Sequence, residues 1–211
     1  MKTEQLMAAF LFTLALCGCT TFNQQPPTLR PDQKGHRASA IAFPATVGLF
    51  PRGEVKLYDA AGEDIGAGYD LRNLLNPVAI TVYVYPGPKL LSIGSPPEVI
   101  ATARKHLTDN HFEAIKRELI KYHPQASATA DEEVHVIFRG QSLYGRAAAF
   151  RSEELFAGRI QPVVTCAEIY AYGKWIIKFR ATYPAATEKS GGESARTFVK
   201  DFIRANELTP D

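Results

Sequence analysis

The clearest pattern along the chain is the strict alternation of Val78-Ala-Ile80-Thr-Val82-Tyr-Val84-Tyr85, with Val and Ile on one face and Thr81, Tyr83 and Tyr85 on the other. Period two with β-branched side chains predicts a strand, and Pro86-Gly87-Pro88 ends it. Upstream, Val47 and Leu49, then Val55, Leu57 and Tyr58, form two short extended runs broken by Pro51-Arg52-Gly53. Turn chemistry follows at Asp59 to Asp64, and then Gly66-Ala-Gly68-Tyr69. Residues 134–138, 143–150, 161–170 and 174–183 return to period two and predict four more strands. In the last of these, Trp175, Ile177, Phe179 and Tyr183 share a core face opposite Lys174, Lys178 and Arg180. Tyr172-Gly173 marks the turn before it. A two-residue loop there would set Glu168 against Ile177 on the core face, whereas a three-residue loop turns it to solvent. The cost of burying a carboxylate favours solvent.

Two stretches carry helical spacing instead. Pro97-Glu98 opens the first, with a proline and an acid at first-turn positions. Ile100, Ala103 and Leu107 lie on one stripe, while Phe112, Ile115, Leu119 and Tyr122 lie on another. The phase slips across Thr108-Asp109-Asn110, so two helices or one kinked helix fit equally, and His123-Pro124 stops the run. Ser194 can cap a last helix over residues 195–205, with Phe198, Phe202 and Ile203 as its apolar stripe. Strands and helices in separate blocks predict an α+β fold. The expectation is a largely antiparallel sheet of about six to seven strands, covered by a long or broken central helix and a C-terminal helix, in a single domain over residues 41–208.

The N-terminus breaks with this patterning. MKTEQ, the apolar run LMAAFLFTLAL and Cys17-Gly18-Cys19 form a charged start, a short hydrophobic core and a small-residue cut site, the layout of a secretory signal over residues 1–18. A membrane span needs roughly 20 apolar helical residues, and this run is about half that. Leu16-Cys17-Gly18-Cys19 resembles the lipobox of bacterial lipoproteins, which implies cleavage between Gly18 and Cys19 and lipid attachment at Cys19. An ordinary secretory signal, or an anchor that is never cut, are the alternatives. Several acyl chains on Cys19 would exceed the two signals that stable anchoring needs. Thr20, rather than an aspartate, follows Cys19, which for a Gram-negative host implies the periplasmic face of the outer membrane ahead of the inner membrane or cell surface. Residues 19–40 are polar, contain Pro26, Pro27 and Pro31 and lack periodicity, so they read as a disordered tether reaching roughly 25 Å.

Composition narrows the partners. A net charge of +2 with no clustered Lys/Arg run gives no electrostatic footprint for nucleic acid. Removal of Cys17 and acylation of Cys19 leave Cys166 unpaired in its own chain, in an apolar run that suits a buried thiol.

No catalytic set, metal site or cofactor site emerges. His106, His111 and His123 lack the i,i+4 spacing of helical metal ligands. The Asp59 to Asp64 loop departs from the calcium-loop pattern, and Gly140-Gln-Ser142-Leu-Tyr-Gly145 from the nucleophile elbow. Gly191-Gly-Glu-Ser194 lacks the Lys-Ser/Thr of a P-loop and reads as a flexible loop before the helix cap. Tyr69, Tyr83, Tyr85, Tyr170, Tyr172 and Trp175 are candidates to line an apolar or glycan pocket, against the commoner reading as cross-strand pairs.

Two motifs, Gly66-Ala-Gly68-Tyr69 with Ala79-Ile-Thr-Val-Tyr-Val-Tyr-Pro86, and Tyr170-Ala-Tyr-Gly-Lys-Trp175-Ile-Ile-Lys-Phe-Arg180-Ala-Thr-Tyr183, resemble a family of exported proteobacterial lipoproteins. The element order is also similar to the Mog1/PsbP-like fold, an α/β/α sandwich used mainly for binding. Neither resemblance transfers a catalytic residue. The expectation is a membrane-anchored, non-enzymatic periplasmic binding module whose partners are the membrane, through Cys19, and an envelope protein or other envelope component. The competing expectation is an envelope hydrolase or small-ligand carrier using scattered groups such as Glu168, His135 and Arg180. Cys19→Ala is expected to abolish acyl labelling and to shift the product in cell fractionation; a fully membrane-bound, unshifted product would contradict the anchor.

Overall fold

The computed structural model describes residues 34–71, 75–89, 94–123 and 125–209. Cys19, the signal and residues 19–33 of the expected tether lie outside the described residues. The fold is α+β, with an eight-stranded antiparallel sheet, a small two-stranded sheet and two helices.

The small sheet pairs β1 (Gly35–His36) with β2 (Ile41–Ala42). The first described strand, Gly35–His36, thus lies ahead of residue 41. The reason is His36, fully buried with its ring edge-on to Trp175 at 4.3 Å and Nδ1 2.6 Å from Ser39 Oγ. Burial holds its imidazole below the ordinary histidine pKa. The Ala42 N–H donates to Asn206 Oδ1 at 2.7 Å, which ties this hairpin to the C-terminus of the domain.

The large sheet joins two antiparallel meanders. One runs through β3 (Thr46–Val47), β4 (Phe50–Leu57), β5 (Ile65–Leu71) and β6 (Val78–Pro86), the other through β7 (Ser127–Phe138), β8 (Gln141–Phe156), β9 (Arg159–Tyr172) and β10 (Trp175–Pro184). They meet where β10 pairs with β6, so the order is β3-β4-β5-β6-β10-β9-β8-β7. Strand β5 is masked in the sequence by its glycines, and the register explains them. A Cβ at Gly66 would lie 2.9 Å from the Val82 carbonyl oxygen of β6.

Helix α1 (Pro97–Tyr122) carries the chain from β6 to the far edge of the sheet and packs on β8 and β9. It is one continuous helix, although the apolar phase slips at Thr108. Thr108 is buried because its hydroxyl bonds back to the Arg104 carbonyl at 2.9 Å, so the polar residue keeps to the apolar face. Phe112 and Ile115 complete that face against Ala148, Phe150, Ala167, Ile169 and Ile176. Charged groups continue the contact outward: Lys116 and Arg146 both reach Asp131, and Lys105 bonds Glu133 at 2.7 Å and the Tyr144 hydroxyl at 2.9 Å.

Helix α2 (Glu188–Ala205) lies on the opposite face. Its Phe198 and Phe202 pack with Phe43, Phe50, Tyr69 and Phe179, ring centroids 5.0 to 6.5 Å apart. The helix starts well before Ser194, and Gly191-Gly192 belongs to it rather than to a flexible loop. The cause is close packing, since a Cβ on Gly191 would sit 2.6 Å from Tyr183 Cγ. Phe202 is fully buried among four rings, so Phe202→Ala is expected to cost about 3–5 kcal/mol in urea unfolding without changing the far-UV spectrum of the folded state.

Candidate functional site

The two helices are offset. Helix α2 packs mainly on β10 and β6 and also meets β3 and β7, and a groove of about 790 Å³ opens between it and the outer strands β7, β8 and β9. Alternation in these strands decides the floor: Glu132 and Val134 of β7, Ala147 and Ala149 of β8, Cys166 and Glu168 of β9 and Ala181 of β10. Alanine is uncommon in strands because it contributes little packing area, and here that shortfall makes the depth. Lys189, Arg196 and Lys200 of α2 form the opposite wall, and Arg151 of β8 closes one end by an ion pair with Glu188.

Glu168 is the unusual group. The β9–β10 turn is two residues, Gly173 and Lys174, with the positive φ of 57° at Gly173. Trp175 therefore pairs with Tyr172, and Glu168 pairs with Phe179 on the α2 face. This corrects the expectation that Glu168 points to solvent: the turn lies one residue later than Tyr172-Gly173, and the carboxylate becomes tolerable because the Tyr170 hydroxyl donates to it. Burial pushes the Glu168 pKa up, while the Tyr170 hydroxyl, Arg196 and Lys200 pull it back and Glu132 adds to the rise. Beside it, Cys166 Sγ lies 3.2 Å from the Tyr183 hydroxyl, and burial pushes the thiol up as well. A thiol so held is a poor nucleophile.

No protein-family model matches the chain, and no curated protein does. Among solved structures it is similar to the Ran-binding protein Mog1p of Saccharomyces cerevisiae, at 12% identity over 75% of this chain and 92% of that chain, with a TM-score of 0.30. The likeness is weak. At that score it carries no fold, no partner and no residue to this chain.

The other candidates separate in space. Tyr170, Tyr172, Tyr69 and Trp175 share the α2 face of the sheet, but Tyr83 and Tyr85 project from the α1 face, where the Lys178 ammonium lies 4.5 Å from the Tyr83 ring centre. Tyr69 is fully buried and donates to the Pro44 carbonyl at 3.0 Å. His135 borders the groove through its strand, yet its ring packs on Tyr144 with Nδ1 3.1 Å from Ser142 Oγ. Arg180 sits on the α1 face, 3.2 Å from His123 Nε2, and His123 Nδ1 is 3.0 Å from Glu154. Of Glu168, His135 and Arg180, only Glu168 projects into the groove. His111 Nε2 is 3.0 Å from the Tyr85 hydroxyl, while His106 is exposed. Among the described residues no three potential metal ligands cluster. Asp59 Oδ1 accepts the Glu63 N–H at 2.9 Å and so caps its own turn, and Gly140 sits in the β7–β8 hairpin turn with φ 76°.

Two signals in the sequence pointed to this groove without being read. One is the run Ala147-Ala148-Ala149 inside a strand; the other is the basic row at 189, 196 and 200, visible only once the helix is started at Glu188.

A carboxyl whose folded pKa is raised contributes stability that is present below its ordinary value, near 4.5, and lost as pH rises through the folded value. Glu168→Gln is therefore expected to be more stable than the parent chain at pH 8, by on the order of 1 kcal/mol, with the difference shrinking towards pH 4. Urea unfolding at the two pH values measures it; a pH-independent difference would contradict the buried setting.

Proposed function

We propose that the protein is a non-enzymatic binding module of the bacterial envelope, held by lipid on Cys19 at the periplasmic face of the outer membrane, with the groove between α2 and β7–β9 as its binding site. The observation that carries the reading is the groove itself, a large concavity lined by small side chains and bordered by charge on a rigid sheet-and-helix frame. Such a frame suits recognition, because ligand sites are concave, mostly apolar and largely pre-formed. The lipobox-like Leu16 to Cys19 and the resemblance of two strand motifs to exported lipoproteins support the address. The separation of Glu168 from Arg180 and the His135 ring by the sheet favours binding over hydrolysis, since general acid–base chemistry needs its groups within hydrogen-bond reach of one reacting centre.

The test is photo-crosslinking of the tagged, lipidated protein in its host, with the reactive side chain at Ala149 in the groove or at Ile120 on the exposed side of α1. An adduct with an envelope component is expected from position 149 and not from position 120. Ala149→Trp, which fills the floor, is expected to abolish an adduct formed from a second groove position, Val134, while the protein stays in the membrane fraction. Adducts confined to position 120, or substrate turnover without any groove adduct, would overturn the reading.

A further inference from the structure

We propose that the groove binds a single-chain amphiphile with an anionic head group, its acyl chain lying along the alanine floor and its carboxylate or phosphate against the basic row of α2. The inference rests on the reading of this groove as the binding site and names what occupies it.

The floor fixes the apolar half of the ligand. Ala147, Ala149 and Ala181 leave an open channel where larger strand residues would have met α2 and closed the core. An apolar floor beside a row of charge suits an amphiphile, its chain on the alanines and its head group at the helix. The hydrophobic effect then makes affinity rise with chain length, by about fourfold for each methylene taken out of water.

The helix fixes the head group. Lys189, Arg196 and Lys200 recur on the side of α2 that overlooks the groove, and at 1.5 Å per residue their row is about 16 Å long. Among the described residues none of the three forms an ion pair, whereas Arg151 across the groove is taken up by Glu188. Their side chains are exposed at the rim, so their charge is available to an incoming anion.

The carboxyl groups do not oppose this assignment. Glu168 on the floor accepts from the Tyr170 hydroxyl, and burial pushes its pKa up, which lessens its repulsion of an anion. Glu132 stands on the outermost strand, away from α2, so it repels a head group at the sheet edge and favours one beside the helix.

The full chain carrying Cys17→Ala and Cys19→Ala leaves Cys166, on the groove floor, as the sole thiol, and its slow alkylation, followed to completion in the unliganded protein, is an internal reporter. Calorimetric titration and the rate of Cys166 alkylation are measured with dodecanoate, dodecyl phosphate, octanoate and dodecyltrimethylammonium, each below its micelle concentration. Both dodecyl anions are expected to bind and to slow alkylation at least about tenfold, with octanoate, four methylenes shorter, about 250-fold weaker than dodecanoate. The tighter of the two anions names the head group. Arg196→Glu with Lys200→Glu is expected to weaken dodecanoate at least about tenfold at unchanged melting temperature. The proposal is overturned if dodecyltrimethylammonium binds as tightly as dodecanoate, if charge reversal leaves the anion affinity unchanged, or if no probe protects Cys166. Groove adducts in the host without binding of these probes would remove the amphiphile and leave the binding module standing; absence of both would remove both.

Discussion

Helix α2 meets the sheet almost backbone to ring. At Gly191 any Cβ would stand 2.6 Å from Cγ of Tyr183, so glycine is what lets the helix start lie against the end of β10. That contact, with Phe198 and Phe202 seated among Phe43, Phe50, Tyr69 and Phe179, fixes both the height and the lateral position of the helix. Because the aromatic seat is over β10 and the β3–β6 meander, the helix leaves part of the outer strands uncovered, although Val136 of β7 and Leu143 of β8 still join its core. The groove over β7, β8 and β9 follows from where the aromatic residues are, and its depth from the alanines that face it.

The opposite face shows the complementary offset. Helix α1 lies over β8 and β9, held by a small apolar cluster around Phe112 and by charged groups at its border. The bridges from Lys105 and Lys116 to Glu133 and Asp131 are partly exposed and individually weak, but together they tie the helix to the strands that the groove undermines from the other side. Sequence alternation alone would have left this face wet. The helix turns it into a second, thinner core, and Lys178 is half-buried between α1 and the Tyr83 and Tyr85 rings.

How much of the site was legible depends on the range of the interaction that creates it. Val78 to Tyr85 and Trp175 to Tyr183 were readable as strands because alternation is a local property. Glu168 was misread because the facing of a strand residue depends on the turn position to a single residue, and the compensation by Tyr170 is a feature of the folded strand. Gly191-Gly192 reads as a loop because glycine in sequence signals freedom, whereas here Gly191 marks contact with the ring of Tyr183, eight positions back across a turn. Thr108 is a third case: its hydroxyl looks like a break in the apolar stripe until the back-bond to Arg104 is seen.

By itself the sequence determined the main alternating strands and both helical stretches and therefore the α+β class, because periodicity rests on residues close in the chain, while the β1–β2 hairpin and the glycine-rich β5 were not legible in it. Only the tertiary structure decided which strands pair, that β10 docks on β6 to fuse two meanders, that each helix covers a different half of the sheet, and that Glu168, Cys166 and the α2 bases share one groove. Those outcomes depend on side-chain volumes meeting across long sequence separations, where a missing methylene at Ala149 or a missing Cβ at Gly191 shapes a surface that neither residue announces alone.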